Sequence, residues 1–345
     1  MRAFQFAIVL LVVAVWFLNL APAAPPERIV IDTDSGVFGD DGAALVMAAR
    51  SPERVTIEAL TLVAGNVWVS EGAGYTSRIL KLLGRTQLPL LPGAQAPLVN
   101  SPALAQAAAK QWPPLEYSGA FARPMPPLPR DQEGTVKSAV DYLIETLDRA
   151  PGQVTVLALG PMTNLAIGIR LRPDIQTKIR RLVFMGGNVG VPGNCTRAAE
   201  FNFWFDPEAA RIVLRSAIPK KQMFALDICN QAVLTRARFD EIAAAKTPIT
   251  ELYREDYGDR YPGFYQHADA VGYLWDELAA AYLIDPGFVT KSEQRWLDVD
   301  TRFGPGYGAV IPLDKSLAPD ATPVELMLKL DFTRVFKLYK ELLTR

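Results

Sequence analysis

Asp32, Asp34, Asp40 and Asp41 lie close together in one short stretch. The apolar run Ile29, Val30, Ile31 just before them predicts a buried strand, and the Ala, Leu, Val and Met residues after Asp41 predict a helix. Asp32 and Asp34 then stand at the carboxyl end of the strand while Asp40 and Asp41 open the helix. Gly36 and Gly39 let the connecting loop fold back so that both pairs face one point. Carboxylates held this close repel one another and are costly to desolvate unless a positive charge is shared among them. Ligands that are all oxygens favour a hard cation, Ca²⁺ or Mg²⁺, over zinc. Capping of the helix dipole explains one of these acids and leaves three.

The elements around this loop argue an α/β fold. Strand-like runs recur at Val55–Val63, Leu88–Leu91, Val154–Leu159, Leu182–Met185 and Met223–Leu226, mostly without polar alternation. Helical patterns at Gly72–Leu83, Val136–Asp148, Asn164–Leu171 and Pro207–Ser216 lie between several of them. Unalternating strands separated by helices predict a mostly parallel, doubly wound, Rossmann-like sheet with helices on both faces. In such sheets ligands bind beyond the carboxyl ends of the strands, where the acidic loop lies.

A length of 345 residues with 50% hydrophobic composition allows one large core, and a formal net charge of −1 without long basic runs argues against a nucleic-acid polymer as partner. Met1–Gln5 carries a positive end, Phe6–Leu20 is apolar, and Ala21-Pro-Ala-Ala-Pro25 follows. That order predicts a secretory signal peptide over residues 1–24 and an exported protein, periplasmic or secreted. Contact with a membrane is expected only if that segment is retained as an anchor. Residues 25–345 are expected to form a single domain. Cys195 and Cys229 could pair in an oxidising compartment or remain two buried thiols.

Several other stretches carry polar groups to the same end of the sheet. Ala64-Gly65-Asn66, Leu159-Gly160-Pro161-Met162-Thr163-Asn164, Met185-Gly186-Gly187-Asn188 and Asp227-Ile228-Cys229-Asn230 follow successive strands, and together they predict a lined pocket. Glu200 and Asn202 alternate with aromatic residues in what reads as an extended pattern, placing both on one face as hydroxyl-binding groups. Asp206-Pro207-Glu208 is best explained as a helix start. Trp275 and Asp276 put an aromatic and an acid at another helix start. The Pro-rich stretch Pro113–Gly134 predicts a long surface loop. Tyr253–Tyr273, with five tyrosines and the single histidine His267, is expected at the mouth of the site.

In this order, these motifs resemble the inosine-uridine preferring nucleoside hydrolase family over nearly the whole exported length. The resemblance runs through Asp32-Thr-Asp34, Asp40-Asp41, Val63-Ala-Gly-Asn66, Pro92-Gly-Ala94, Gly160–Asn164, Met185-Gly-Gly187, Ala199-Glu-Phe-Asn202, Asp206–Ala210, Leu226-Asp227, Trp275-Asp276 and Ala280–Pro286. It implies Ca²⁺-dependent hydrolysis of the N-glycosidic bond of a ribonucleoside to free base and ribose. It also implies Asp34, Asp41, Asp276 and the Leu159 carbonyl as metal ligands, with Asp34 doubling as the general base toward a water activated by the metal. By the same resemblance Asp40, Asn66, Asn194, Glu200 and Asn202 hold the ribose hydroxyls, and the protein is a homo-oligomer, dimer or tetramer.

Two departures from the family pattern matter. The acidic loop is two residues longer than the common form, with Val37-Phe38-Gly39 where one residue is usual. Trp275 stands where the inosine-uridine branch has a histidine, and the purine-preferring branch has a tryptophan there. Stacking an indole on a purine eases protonation of the leaving base. Trp112, at the start of the Pro-rich loop, is the candidate for the second stacking aromatic, and His267 is an alternative acid. The rival readings are a broad or pyrimidine-preferring hydrolase, a haloacid-dehalogenase-type phosphatase built on Ile31-Asp-Thr-Asp34, and a nucleoside-binding protein without turnover.

Overall fold

The computed structural model describes residues 25–36, 38–126, 137–260, 269 and 271–345. The expected signal segment, His267 and part of the Pro-rich loop lie outside the described residues. Cys195 and Cys229 are both buried and free, so no bridge braces the pocket.

The strands are β1 (Glu27–Thr33), β2 (Val55–Leu62), β3 (Leu90–Pro92), β4 (Val154–Ala158), β5 (Ile179–Met185), β6 (Lys221–Phe224), β7 (Val233–Thr235), β8 (Val271–Tyr273), β9 (Val289–Arg295), β10 (Leu297–Val299), β11 (Val310–Pro312) and β12 (Val324–Leu330). Helices α1 (Gly39–Ala49), α2 (Val69–Leu82), α3 (Pro102–Gln111), α4 (Ala139–Arg149), α5 (Thr163–Leu171) and α6 (Phe201–Phe205) come first. They are followed by α7 (Pro207–Leu214), α8 (Leu226–Cys229), α9 (Arg236–Ala243), α10 (Pro248–Arg260), α11 (Asp276–Ile284) and α12 (Phe332–Thr344).

The main sheet runs in the order β3-β2-β1-β4-β5-β6-β12-β9. Every pairing in it is parallel except that of the edge strand β9 with β12. This is the doubly wound arrangement, and its strand order reverses between β1 and β4. A ligand crevice opens at that reversal because the connections on either side lead to opposite faces of the sheet.

Side chains of β1 alternate between two cores. Ile29 and Ile31 join a cluster under α1, α11 and α12, while Val30 joins one under α4, α5 and α7. Each such burial contributes about 1.5–3 kcal/mol, so a one-residue slip that exchanged the faces of β1 would be strongly disfavoured. The strand is thereby locked with Asp32 and Asp34 at its carboxyl end.

Helix α11 is buried on nearly every side, and α1 lies against it. Ala43, Ala44 and Ala48 on α1, with Ala279, Ala280 and Ala281 on α11, supply the small side chains that let two backbones approach closely. Two expectations are corrected here. Leu226, expected at the end of a strand, begins α8. Glu200 and Asn202 are not in an extended segment, because Glu200 caps α6 and Asn202 lies within it. Asp206 does open a helix, accepting the Ala209 N–H, and it also receives the Leu98 N–H and the Thr163 hydroxyl. Among the described residues no helix is long and apolar enough to cross a membrane.

Candidate functional site

The packing of α11 on α1 brings the acid at the start of one helix to the acids at the start of the other. Carboxylate oxygens of Asp40, Asp41 and Asp276 lie within 4.8 Å of one another. Asp34 joins them electrostatically from the end of β1. Burial above all, then repulsion by Asp41, pushes the Asp34 carboxyl well above the usual range. Burial, then Asp40, Asp41 and Asp34, does the same to Asp276.

Asp32 is not part of this group, which corrects the expected set of four. Its Oδ1 accepts the Thr61 hydroxyl at 2.6 Å and Asn164 Nδ2 at 2.7 Å, and burial raises its pKa to about 6. Strand alternation does not separate Asp32 from Asp34, which are two residues apart; the Thr61 and Asn164 hydrogen bonds hold the Asp32 carboxylate. Asp276, far along the chain, completes the cluster instead. A phosphatase of the haloacid dehalogenase type would need Asp32 open to its substrate, and here the side chain is buried with Oδ1 engaged by Thr61 and Asn164, although Oδ2 has no partner among the described residues.

The Asp34 carboxylate is held on three sides. The Asn66 N–H donates to Oδ2 at 2.6 Å. A Cβ at Gly65 would sit 2.0 Å from Oδ2, and one at Gly160 would sit 2.8 Å from Cγ, so both neighbours must be glycine. Asp34 Oδ1 and Asp276 Oδ1 are buried and have no hydrogen-bond partner among the described residues. Orphaned acceptor oxygens on carboxylates that repel one another are what a divalent cation satisfies. The donor set, all oxygen, fits a hard cation such as Ca²⁺.

Asp41 accepts the Thr33 hydroxyl and Asn66 Nδ2, the latter at 3.3 Å. The Leu159 carbonyl accepts Asn202 Nδ2 at 2.8 Å and keeps a second lone pair. Beside them lies a cleft of about 320 Å³ lined by Asp40, Asn66, Leu159, Asn194, Glu200, Asn202, Trp275 and Asp276, together with Tyr117, Met185 and Phe201.

The site residues differ in how free their side chains are. Glu200 is engaged by the Asn202, Phe203 and Gly187 N–H groups, so its carboxylate first shapes the turn that carries it. Asn194 Oδ1 accepts the Phe201 N–H, and the residue lines the cleft. Trp275 is positioned by its own N–H donating to Glu277 Oε2 at 2.8 Å. The Trp275 indole N–H is buried and has no partner among the described residues, so the ring meets the cleft as an aromatic surface.

Trp112 is elsewhere, a correction to the expected stacking pair. It ends α3, packs edge-on against Phe303 at 5.8 Å and lines a separate cleft with Trp204 and Tyr307. The aromatic residue that the same loop does bring to the site is Tyr117. Its hydroxyl donates to Asn66 Oδ1 at 2.9 Å, and its ring meets Phe201 edge-on at 4.8 Å. Sequence patterning missed Tyr117 because an irregular Pro-rich loop has no period to place its side chains. The chance signal was its position between two segments tied to the pocket walls, as Ala120 N–H donates to the Gly65 carbonyl and Glu116 N–H to that of Cys195.

Comparison with known proteins agrees with this geometry. The family model for the inosine-uridine preferring nucleoside hydrolase matches residues 29–337. The pyrimidine-specific ribonucleoside hydrolase RihB of Escherichia coli (strain SE11) is 33% identical over 286 residues, covering 83% of this chain and 87% of that protein. The plant nucleoside hydrolase PpNRh1 superposes with a TM-score of 0.76 at 27% identity, over 93% of this chain and 99% of that one. A purine-preferring ribonucleoside hydrolase from Gardnerella vaginalis gives 0.72 at 25% identity, over 92% and 98%. An inosine-guanosine nucleoside hydrolase gives 0.75 at 26% identity over the same shares.

Proposed function

The chain belongs to the inosine-uridine preferring nucleoside hydrolase family and is a nucleoside N-ribohydrolase, and from that premise we propose that it cleaves purine ribonucleosides with Asp34 as general base. The observation that carries this reading is the pair of buried oxygens on Asp34 and Asp276 without partners among the described residues, with Asp276 lining the same cleft as Trp275. Asp34, Asp41, Asp276 and the Leu159 carbonyl would hold a Ca²⁺. When bound, that ion supplies positive charge that offsets the repulsion among the carboxylates and acidifies a nearby water.

The chain's own residues do the rest. Asp34 is held through Oδ2 by Asn66, leaving Oδ1 to take a proton from the attacking water. The water oxygen bonds to the anomeric carbon while the C–N bond breaks and its electron pair leaves with the base. Asp40, Asn66, Asn194, Glu200 and Asn202 orient the ribose hydroxyls. Buried carboxylates stabilise the oxocarbenium-like charge that develops on the sugar. Trp275, with Phe201 and Tyr117 as neighbouring walls, offers the base an aromatic face, and the departing base takes its proton from solvent.

A second reading, preference for pyrimidine nucleosides, is favoured by the likeness to RihB, which is pyrimidine-specific. Release of base from inosine, guanosine, adenosine, uridine and cytidine, with and without prior chelation, tests both. Purine release that chelation abolishes supports the proposal, and faster release from uridine and cytidine would replace it with the second reading. Export to the periplasm or medium after removal of residues 1–24, action as one domain and assembly into a homo-oligomer complete the proposal. N-terminal sequencing of the mature protein and light scattering check these.

A further inference from the structure

The lengthened acidic loop raises a question of rigidity. Helix α1 presents Asp40 and Asp41 in its first turn, yet Phe38 at its N-cap makes no side-chain capping hydrogen bond. Gly39, with φ of 54°, is a left-handed hinge immediately before the two acids. A helix start of this kind, joined to an inserted loop, is expected to fray and to let both carboxylates wander.

Helix α10 supplies what the loop lacks. Asp256 is almost completely buried, and its Oδ2 accepts the Gly39 N–H at 2.8 Å, so a side chain 217 positions away stands in for the missing local cap. One turn earlier on the same helix, Tyr253 receives the wholly buried Phe38 ring edge-on at 5.9 Å. Phe38 fits there because residue 42 is glycine. A Cβ at that position would meet the Phe38 ring at 3.1 Å and Ile79 Cδ1 at 2.9 Å. One polar and one apolar contact thus fasten both ends of the inserted residues Phe38-Gly39 to α10.

We propose that Asp256 and Tyr253 are positioning residues, clamping the start of α1 so that Asp40 and Asp41 stay in register with Asp34 and Asp276. That the clamp serves cation binding rests on the function proposed above; that it immobilises the start of α1 does not.

The test uses the mature protein with Asp256→Ala and Asp256→Asn, since asparagine Oδ1 can still accept the Gly39 N–H. Amide hydrogen exchange is followed without cation over residues 38–45, and Ca²⁺ affinity is measured by calorimetry. We expect Asp256→Ala to exchange at least about fivefold faster in that segment and to bind Ca²⁺ about fivefold more weakly, the size of effect one lost helix cap produces. Asp256→Asn is expected to restore both to within about twofold. Phe38→Leu, which shortens the apolar contact and leaves the hydrogen bond, should raise exchange in the same segment and covers the case in which Asp256→Ala does not fold. Unchanged local exchange in Asp256→Ala or Phe38→Leu would overturn the clamp, as would equal loss in the alanine and asparagine variants. Faster local exchange with Ca²⁺ binding unaltered would keep the clamp and remove its role at the cation site. Absence of Ca²⁺ binding in the unmodified protein would overturn the functional reading and leave the exchange result to decide the clamp.

Discussion

The backbone N–H of Asn66 lies 2.6 Å from Asp34 Oδ2, while the other carboxylate oxygen of Asp34 is buried without a partner among the described residues. One oxygen is therefore anchored by the loop after β2, and the other is left for chemistry. The anchor comes from backbone, so no substitution at residue 66 other than proline removes the donor.

Asp34→Asn keeps the shape and the Asn66 contact but cannot accept a proton. Turnover of inosine should fall by about 10²–10⁴-fold, the range typical of a lost general base, with little change in melting temperature. Near-normal kcat in a folded protein would show that the proton goes elsewhere.

Gly65→Ala and Gly160→Ala should act on the same carboxylate without altering any charge. The new methyl would collide with Asp34, at 2.0 Å from Oδ2 or 2.8 Å from Cγ. Displacing a reacting group by about 1 Å can cost roughly 10²-fold in rate. Steady-state kinetics on the folded variants measures this, with the larger loss expected for Gly65→Ala.

If stacking on the indole helps the base to leave, Trp275→Ala should slow purine nucleosides up to about tenfold more than pyrimidine ones, as an aromatic contact of about 0.5–1.5 kcal/mol would. Equal slowing of both classes would remove Trp275 from the leaving-group role. Trp112→Ala, in its separate cleft, is expected to leave the ratio of purine to pyrimidine turnover unchanged.

Tyr117→Phe removes the hydroxyl that donates to Asn66 Oδ1 and retains the ring against Phe201. Because a net hydrogen bond contributes about 0.5–1.5 kcal/mol, KM should rise by roughly 2–12-fold with kcat changed less. A fall in kcat alone would mean that Tyr117 acts on the reacting groups.

Cation binding and pH should be linked. Without a cation, burial and mutual repulsion hold the Asp34 and Asp276 carboxyls well above their ordinary value of 3.8. The folded chain then binds more protons than the unfolded chain between that value and the raised ones, so stability of the cation-free protein falls as pH rises through this window. A cation displaces those protons, and its affinity rises with pH over the same window. Melting temperatures across pH with and without Ca²⁺ check the first sign. Calorimetry in buffers of differing ionisation enthalpy checks the second, and uptake of protons on binding would contradict it.

How much of this was legible in the residues depends on how local each cause is. The run of β1 into the acidic loop and α1, the unalternating strands and the Asp206 cap could all be read from neighbours in the chain. Their causes are hydrophobic periodicity, turn chemistry and capping, which act over a few residues. The same local reading failed at Glu200 and Asn202, where alternating aromatics suggested a strand. The Glu200 carboxylate gathers three backbone N–H groups and starts a short helix instead. The polarity was visible, and the hydrogen-bond closure was not.

Resemblance to a family reached further and named Asp276, although nothing in its spacing from Asp41 requires the two to meet. They meet because α11 packs against α1, and that contact exists only when both helices pack on the same face of the sheet. The same holds for Asp32 turning to Thr61 and Asn164, for Tyr117 rather than Trp112 reaching the cleft, and for Asp256 capping a helix to which it is not joined. Residue type and short-range period specified which groups could do chemistry. Which of them share one point was set by the packing of helix faces and irregular loops, where long-range contacts outweigh local preference.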